Sequence, residues 1–231
     1  MTSLRRVDGV PTKTLNARVF EELRLAILDG QLKPGERLRL VELSARYSVS
    51  QSVLREALTR LAEQGLAVSL PQQGFRVVTL SESDLEDLNI TRTAIEGLVL
   101  ARAIEQGDVD WEAAAVAAHH RLERAQTGSF DDPQVRETWA RAHAEFHKSL
   151  LNGCASPRLR EIAFGLRDAA ELYRRWSPVS QGLGRQVVAE HRALRDAALD
   201  RDVDRAVAVL TAHLDRNRRA TLSGSTGVDP T

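Results

Sequence analysis

Four of the six histidines in this 231-residue chain are spaced for joint chemistry. His143 and His147 are four residues apart, so a helix carrying both projects them side by side, a spacing that one metal ion bridges. His191 and His213 belong to two later segments, beside Val188 and Leu194 and beside Val209, Leu210 and Leu214, whose period turns each imidazole inward. A lone inward histidine is most often a satisfied core residue. Four on facing helices share a desolvation cost, and a divalent transition ion, for which neutral imidazole is a good ligand, relieves it. By spacing alone the metal and core readings stand level. His119 and His120 are adjacent, point about 100° apart on a helix, and read as solvated surface.

A second polar set suggests nucleic-acid chemistry. Ser50, Gln51, Ser52 and Arg55 fall at the start of a short amphipathic segment, on the face opposite Leu54, Ala57, Leu58 and Leu61. Short polar side chains there serve no packing purpose, and it is where a recognition helix presents residues to base edges in the major groove. Gln73 and Gly74 end a turn, Pro71 to Gly74, between two alternating stretches.

The elements that must position these residues follow from period and punctuation. A helix over Leu40–Tyr47, a turn at Ser48 and Val49, an N-cap at Ser50, a helix through Leu61 and a closing Gly65 make a helix-turn-helix at about 40–61. Strands at 66–70 and 75–79 add a wing, so residues 13–80 form a winged helix-turn-helix domain. From residue 81 to 222 the helical period gives six helices. Ser81 or Ser83 caps the first, which reaches Gln106; Asp110 opens the second. Asp132-Pro133 and Ser156-Pro157 start the third and fourth; the fifth covers Gln186 to Leu199, and Asp202 caps the sixth, which reaches Leu222. The fold class is mainly α, a winged domain followed by an antiparallel six-helix bundle. Residues 1–12 and 223–231 read as disordered tails, and 180–184 as a mobile segment. The fourth helix interleaves Arg158, Arg160, Arg167, Arg174 and Arg175 with Glu161, Asp168 and Glu171, which reads as a solvent-facing charged surface. Trp111, Trp139, Trp176 and Tyr173 read as core or dimer-contact residues.

The formal net charge is zero, but residues 1–80 carry 12 Lys and Arg against 8 Asp and Glu, and residues 81–231 carry 20 against 24. The basic first half suits phosphate attraction. The single cysteine, Cys154, excludes an internal disulfide, suits a reducing compartment and reads as a small buried hydrophobe. No apolar run reaches membrane-spanning length and no signal-peptide core is present, so a cytoplasmic protein with no membrane partner is expected.

Thr14-Leu15 through Leu28-Asp29-Gly30, Leu32-Lys33-Pro34-Gly35-Glu36-Arg37-Leu38, Val49-Ser50 through Thr59-Arg60-Leu61, Glu63-Gln64-Gly65-Leu66 and Gly74-Phe75 resemble the DNA-binding domain of the GntR family of bacterial transcription regulators. Relatives carry Gly, Arg and Pro where this chain has Ser48, Gln51 and Val53. Gln51 in place of Arg shifts the expected preference from guanine toward adenine. Arg55 keeps its family place. Gln73 stands where relatives often carry a basic residue, which weakens the expected wing-to-phosphate contact.

Arg92 through Glu96, Phe146-His147, Glu190 through Leu194 and Ala212-His213-Leu214 resemble the FadR-type subfamily, whose effector domain is the helical FCD domain. That resemblance implies a metal on His147, His191 and His213, with His143 at the usual aspartate position; losing a negative charge favours Zn²⁺ first and Ni²⁺ second over Mn²⁺ or Mg²⁺. It implies that Arg92 takes the carboxylate of a small effector, although an Arg92–Glu96 pair fits the spacing equally. It also implies a homodimer on an inverted-repeat operator in double-stranded DNA, more often a repressor than an activator. The alternatives are a metal-dependent hydrolase or lyase fused to a DNA-binding module, needing Glu145 or Glu190 to turn inward as a base, and a regulator with a metal-free acyl-type pocket.

Overall fold

A computed structural model describes residues 15–127, 129–130, 132–176 and 185–225. The chain divides into two compact units, Met1–Thr79 and Leu80–Thr231.

The first unit contains α1 (Leu15–Leu28), β1 (Arg37–Leu38), α2 (Leu40–Tyr47), α3 (Gln51–Glu63), β2 (Ala67–Leu70) and β3 (Gly74–Val77). Val19, Leu23 and Ile27 of α1 and Leu54, Leu58 and Leu61 of α3 are fully buried where the two helices pack, and this holds the opposite face of α3 outward. Ser48 takes the left-handed conformation (φ 53°, ψ 47°), which turns the chain sharply between α2 and α3. The Ser50 hydroxyl then accepts from the Val53 N–H at 3.4 Å, capping α3. At the other end Gly65 (φ 72°) lets the Leu66 N–H reach the Leu61 carbonyl at 2.9 Å and its own N–H the Ala62 carbonyl at 3.1 Å, a Schellman closure.

The wing has three strands in the order β1-β3-β2, all antiparallel, with Leu38 opposite Phe75 and Ser69 opposite Phe75 on the other edge. The alternation in the sequence shows β2 and β3 but not β1, because two residues are too few to display a period. The Arg37 Nε donates to the Gln73 carbonyl at 3.2 Å and ties the turn back to β1.

The second unit is a bundle of α4 (Glu82–Gln106), α5 (Val109–Ala125), α6 (Pro133–Leu151), α7 (Pro157–Trp176), α8 (Arg185–Leu199) and α9 (Val203–Ser225). Ser81 caps α4, accepting from the Asp84 N–H at 3.1 Å. Asp108, not Asp110, caps α5: its carboxylate accepts from the Trp111 N–H at 2.9 Å, and Asp110 falls in the first turn, where its charge meets the positive helix end. The core joins Leu100 and Ile104 of α4, Trp111 and Leu122 of α5, Phe146 and Leu150 of α6, Leu194 of α8, and Leu210 and Leu214 of α9. Cys154, Trp139 and Tyr173 are buried as well, whereas the Trp176 side chain lies outside the described residues. α9 continues through Ser225, past the expected start of a tail at 223, because the helical pattern has no glycine in a left-handed cap to end it there. The expected disordered or mobile stretches at 1–12, 180–184 and 226–231 lie outside the described residues. Among the described residues no helix is long and apolar enough to cross a membrane.

Candidate functional site

α6, α8 and α9 bring His143, His147, His191 and His213 together, all buried, each offering a ring nitrogen within 4.8 Å of the others. The Nε2 atoms of His147 and His191 are 3.3 Å apart. A tetrahedral zinc ion with Zn–N bonds of about 2.0–2.1 Å separates its ligand nitrogens by about 3.3–3.4 Å, so this pair already has the edge length of such a site. His191 Nδ1, the ring nitrogen away from that pair, is buried with no hydrogen-bond partner among the described residues. The Glu190 carboxylate accepts from His213 Nδ1 at 2.9 Å, which leaves His213 Nε2 as a lone pair, 3.1 Å from the Asn217 amide nitrogen. A carboxylate behind a histidine is the usual device for fixing the tautomer of a metal ligand. The Trp139 ring stacks on His143 with centroids 4.7 Å apart and fixes its plane. The donor set is four neutral nitrogens, which fits a borderline ion of the zinc or nickel type.

Behind the imidazoles lies a buried ionic triad. Glu96 of α4, wholly inaccessible to solvent, receives Arg92 Nε on one oxygen and Arg167 Nη1 on the other, each at 2.6 Å. Arg92 therefore makes the i,i+4 pair that its spacing allowed, and Arg167 joins it from α7. Burial alone would raise the Glu96 pKa, but the two guanidiniums more than offset it and hold the carboxyl ionised below its ordinary range. The triad keeps one net positive charge in the interior. Burial, with Arg167 and the neighbouring rings adding to it, pushes His143, His147 and His191 well below the ordinary imidazole value and His213 down to about 3.

The sign of the resulting pH dependence is fixed. Unfolded histidine takes up a proton near pH 6.5, so below that value the unfolded chain binds more protons than the folded one and stability falls. The metal-free protein is therefore expected to hold its melting temperature from about pH 8 to 7 and to lose it steadily from about pH 6.5 toward 5, as followed by circular dichroism. A melting temperature that rises on acidification over this interval contradicts the neutral buried cluster.

Three side chains differ from their reading in the sequence. His119 is buried, with Nδ1 3.0 Å from Arg195 and its ring edge-on to Phe146, while His120 is exposed; adjacency fixes only that the two diverge, not that both face water. Arg167 and Asp168 are buried rather than solvent-facing, because Arg167 sits four residues beyond the fully buried Ala163 on the inner stripe of α7. Glu190 turns inward, but His213 and Arg216 occupy its oxygens, and Glu145 is exposed, so neither stands free beside the imidazoles as a general base. Asn217 was legible only as the i+4 neighbour of His213.

In the first unit, Gln51 and Arg55 of α3 and Gln73 and Gly74 of the wing line a single groove. Ser52 is exposed on the adjoining face of α3, and the Ser50 hydroxyl is engaged with the Val53 N–H and with Ser52 Oγ at 2.9 Å. Gly74 has φ 83°, and a Cβ there would meet nothing within 4 Å, so the backbone and not the space calls for glycine.

The family profile for bacterial regulatory proteins of the gntR family matches residues 15–77, and that for the FCD domain matches residues 87–216. The HTH-type transcriptional regulator BphR of Paraburkholderia xenovorans is 35% identical over 214 residues, spanning 90% of this chain and 87% of that protein. The HTH-type transcriptional repressor GlaR of Escherichia coli K12 is 32% identical over 199 residues, spanning 84% of this chain and 90% of that protein. Among solved structures, Escherichia coli McbR/YncC matches with a TM-score of 0.75 at 20% identity, over 92% of this chain and 99% of that one. A GntR transcriptional regulator from Rhodococcus sp. RHA1 matches with a TM-score of 0.71 at 22% identity, over 90% and 97% of the two chains.

Proposed function

Because the chain belongs to the GntR family of bacterial transcription regulators and carries an FCD domain, we propose that it is a metal-dependent, carboxylate-responsive repressor. The protein is a DNA-binding transcription regulator; some of its relatives are repressors. The observation that carries the finer reading is the convergence of four buried neutral imidazoles beside a buried triad with one net positive charge. His143, His147, His191 and His213 would hold a Zn²⁺ or Ni²⁺ ion, which would supply a Lewis-acidic charge for an anionic ligand. Glu190 and Trp139 hold two of the rings in place, and Arg92 and Arg167 give the triad one more positive charge than Glu96 cancels, which favours a small carboxylate over a neutral metabolite.

The protein acts in the cytoplasm as a homodimer, since one α3 helix reads only a few base pairs and a two-fold pair reads an inverted repeat in double-stranded DNA. Ser50, Gln51, Ser52, Arg55, Gln73 and Gly74 form its DNA surface, with Arg55 as the central cation. A ligand held by α4, α6, α8 and α9 controls DNA affinity only as far as it binds the DNA-competent and DNA-free states unequally.

Arg55→Ala tests the DNA end. On a duplex selected by the wild-type protein from a randomised pool, the variant is expected to lose at least about 100-fold in affinity, two to three kcal/mol for a specific contact together with its phosphate attraction. Its metal content should be unchanged. Wild-type affinity in the variant contradicts the assignment of α3.

A further inference from the structure

Val41 has no folding role to explain its place. It is the second residue of α2 and 68% exposed, whereas Leu43 on the same helix is buried. It lines the same groove as Gln51, Arg55 and Gln73. Leu38, Leu40, Leu70, Pro71 and Phe75 form apolar parts of its wall, and its charge is basic: Arg37, Arg39 and Arg55 line it, and the one carboxylate among the lining residues, Glu42, is paired with Arg39 at 3.0 Å. Three guanidiniums against one carboxylate, on a groove that includes the polar start of α3, suit a polyanion, so its occupant is the DNA duplex.

We propose that Val41 is a base-reading residue whose branched side chain packs against the C5-methyl of a thymine in the major groove. Thymine is the only base that presents an apolar group there, and an exposed aliphatic side chain gains from covering it and from nothing else on a base edge. Gln51, on the same groove, has the amide that pairs with adenine N6 and N7. Two residues of different chemistry thus share a preference for A·T pairs, and each half-site carries A·T pairs where α2 and α3 meet the groove. This rests on the reading of α3 as the helix that enters the groove.

The experiment uses the full-length protein to select a high-affinity duplex from a randomised pool. Each thymine in that duplex is then replaced singly by deoxyuridine, which removes the methyl and leaves base pairing unchanged. Dissociation constants are measured for the wild type and for Val41→Ala, a surface change that leaves the packed core of the domain untouched. At one thymine per half-site, deoxyuridine is expected to weaken the wild type about fourfold, the worth of one covered methyl group. Val41→Ala should show no loss at that same position. If the selection succeeds and no thymine shows a penalty that depends on residue 41, the proposal is overturned. If no duplex is enriched, or Arg55→Ala binds the selected duplex as tightly as the wild type, the role of α3 falls, and that of Val41 with it.

Discussion

Glu96→Gln is expected to lower the stability of the helical domain by about 3–5 kcal/mol, the cost of leaving buried charge uncompensated when one partner of a buried ion pair is removed. Glutamine keeps the shape of the side chain but leaves Arg92 and Arg167 facing one neutral group, both within hydrogen-bonding distance of it at 2.6 Å in the wild type. For a domain of this size the melting temperature should drop by roughly 6–20 °C. The double variant Glu96→Gln/Arg167→Met should recover part of the loss, because it removes one of the orphaned charges, and the two changes should be strongly non-additive. The same substitution raises the interior charge, so small carboxylates should protect the single variant more than they protect the wild type. A single variant that melts within about 2 °C of the wild type would show the triad to be solvated or relaxed, and would remove the anion-attracting interior from the proposed function.

The second large effect concerns the imidazoles. With Zn²⁺ at about a hundred times its dissociation constant, the wild type should gain about 2.7 kcal/mol of stability by mass action. That amounts to roughly 5–11 °C in melting temperature. His147→Ala removes the ring whose Nε2 lies 3.3 Å from His191 Nε2 and should weaken Zn²⁺ binding by at least about 100-fold, so at the same Zn²⁺ concentration the gain falls to about 0.4 kcal/mol or less. The readout is the zinc-induced shift within each protein rather than the melting temperature itself, so a cavity penalty in the variant does not obscure it. Affinity for the selected duplex, measured without metal, should be unaffected. A full zinc-induced shift in His147→Ala would mean that the ion binds elsewhere.

Both ends of the molecule were legible where a residue type and a period coincide. Ser50 could be read as a cap and Gly65 as a helix end because each position has a single backbone duty, and the structure fulfils both through the Val53 and Leu66 N–H groups. The four histidines could be grouped because i,i+4 spacing and apolar neighbours each constrain direction, and the bundle does gather them. What lay out of reach depends on contacts between helices that no local pattern encodes. Arg167 sits in a run of alternating charges that looks solvated; only the presence of Glu96 on another helix makes its burial tolerable. His119 is buried because Arg195 of α8 comes to its Nδ1, again a tertiary event. Strand β1 exists because Leu38 finds Phe75 across the sheet, although its two residues show no strand pattern of their own. Glu190 has the chemistry of a base, but its ties to His213 and Arg216 give it a positioning part.

The most direct measurement is the metal content of the full-length protein purified without chelator, read by elemental analysis alongside a thermal shift on adding Zn²⁺ or Ni²⁺ to the stripped protein. The four-imidazole centre predicts about one equivalent of zinc or nickel per chain and a rise in melting temperature on readdition. Protein that carries no transition metal and melts at the same temperature with and without either ion contradicts it.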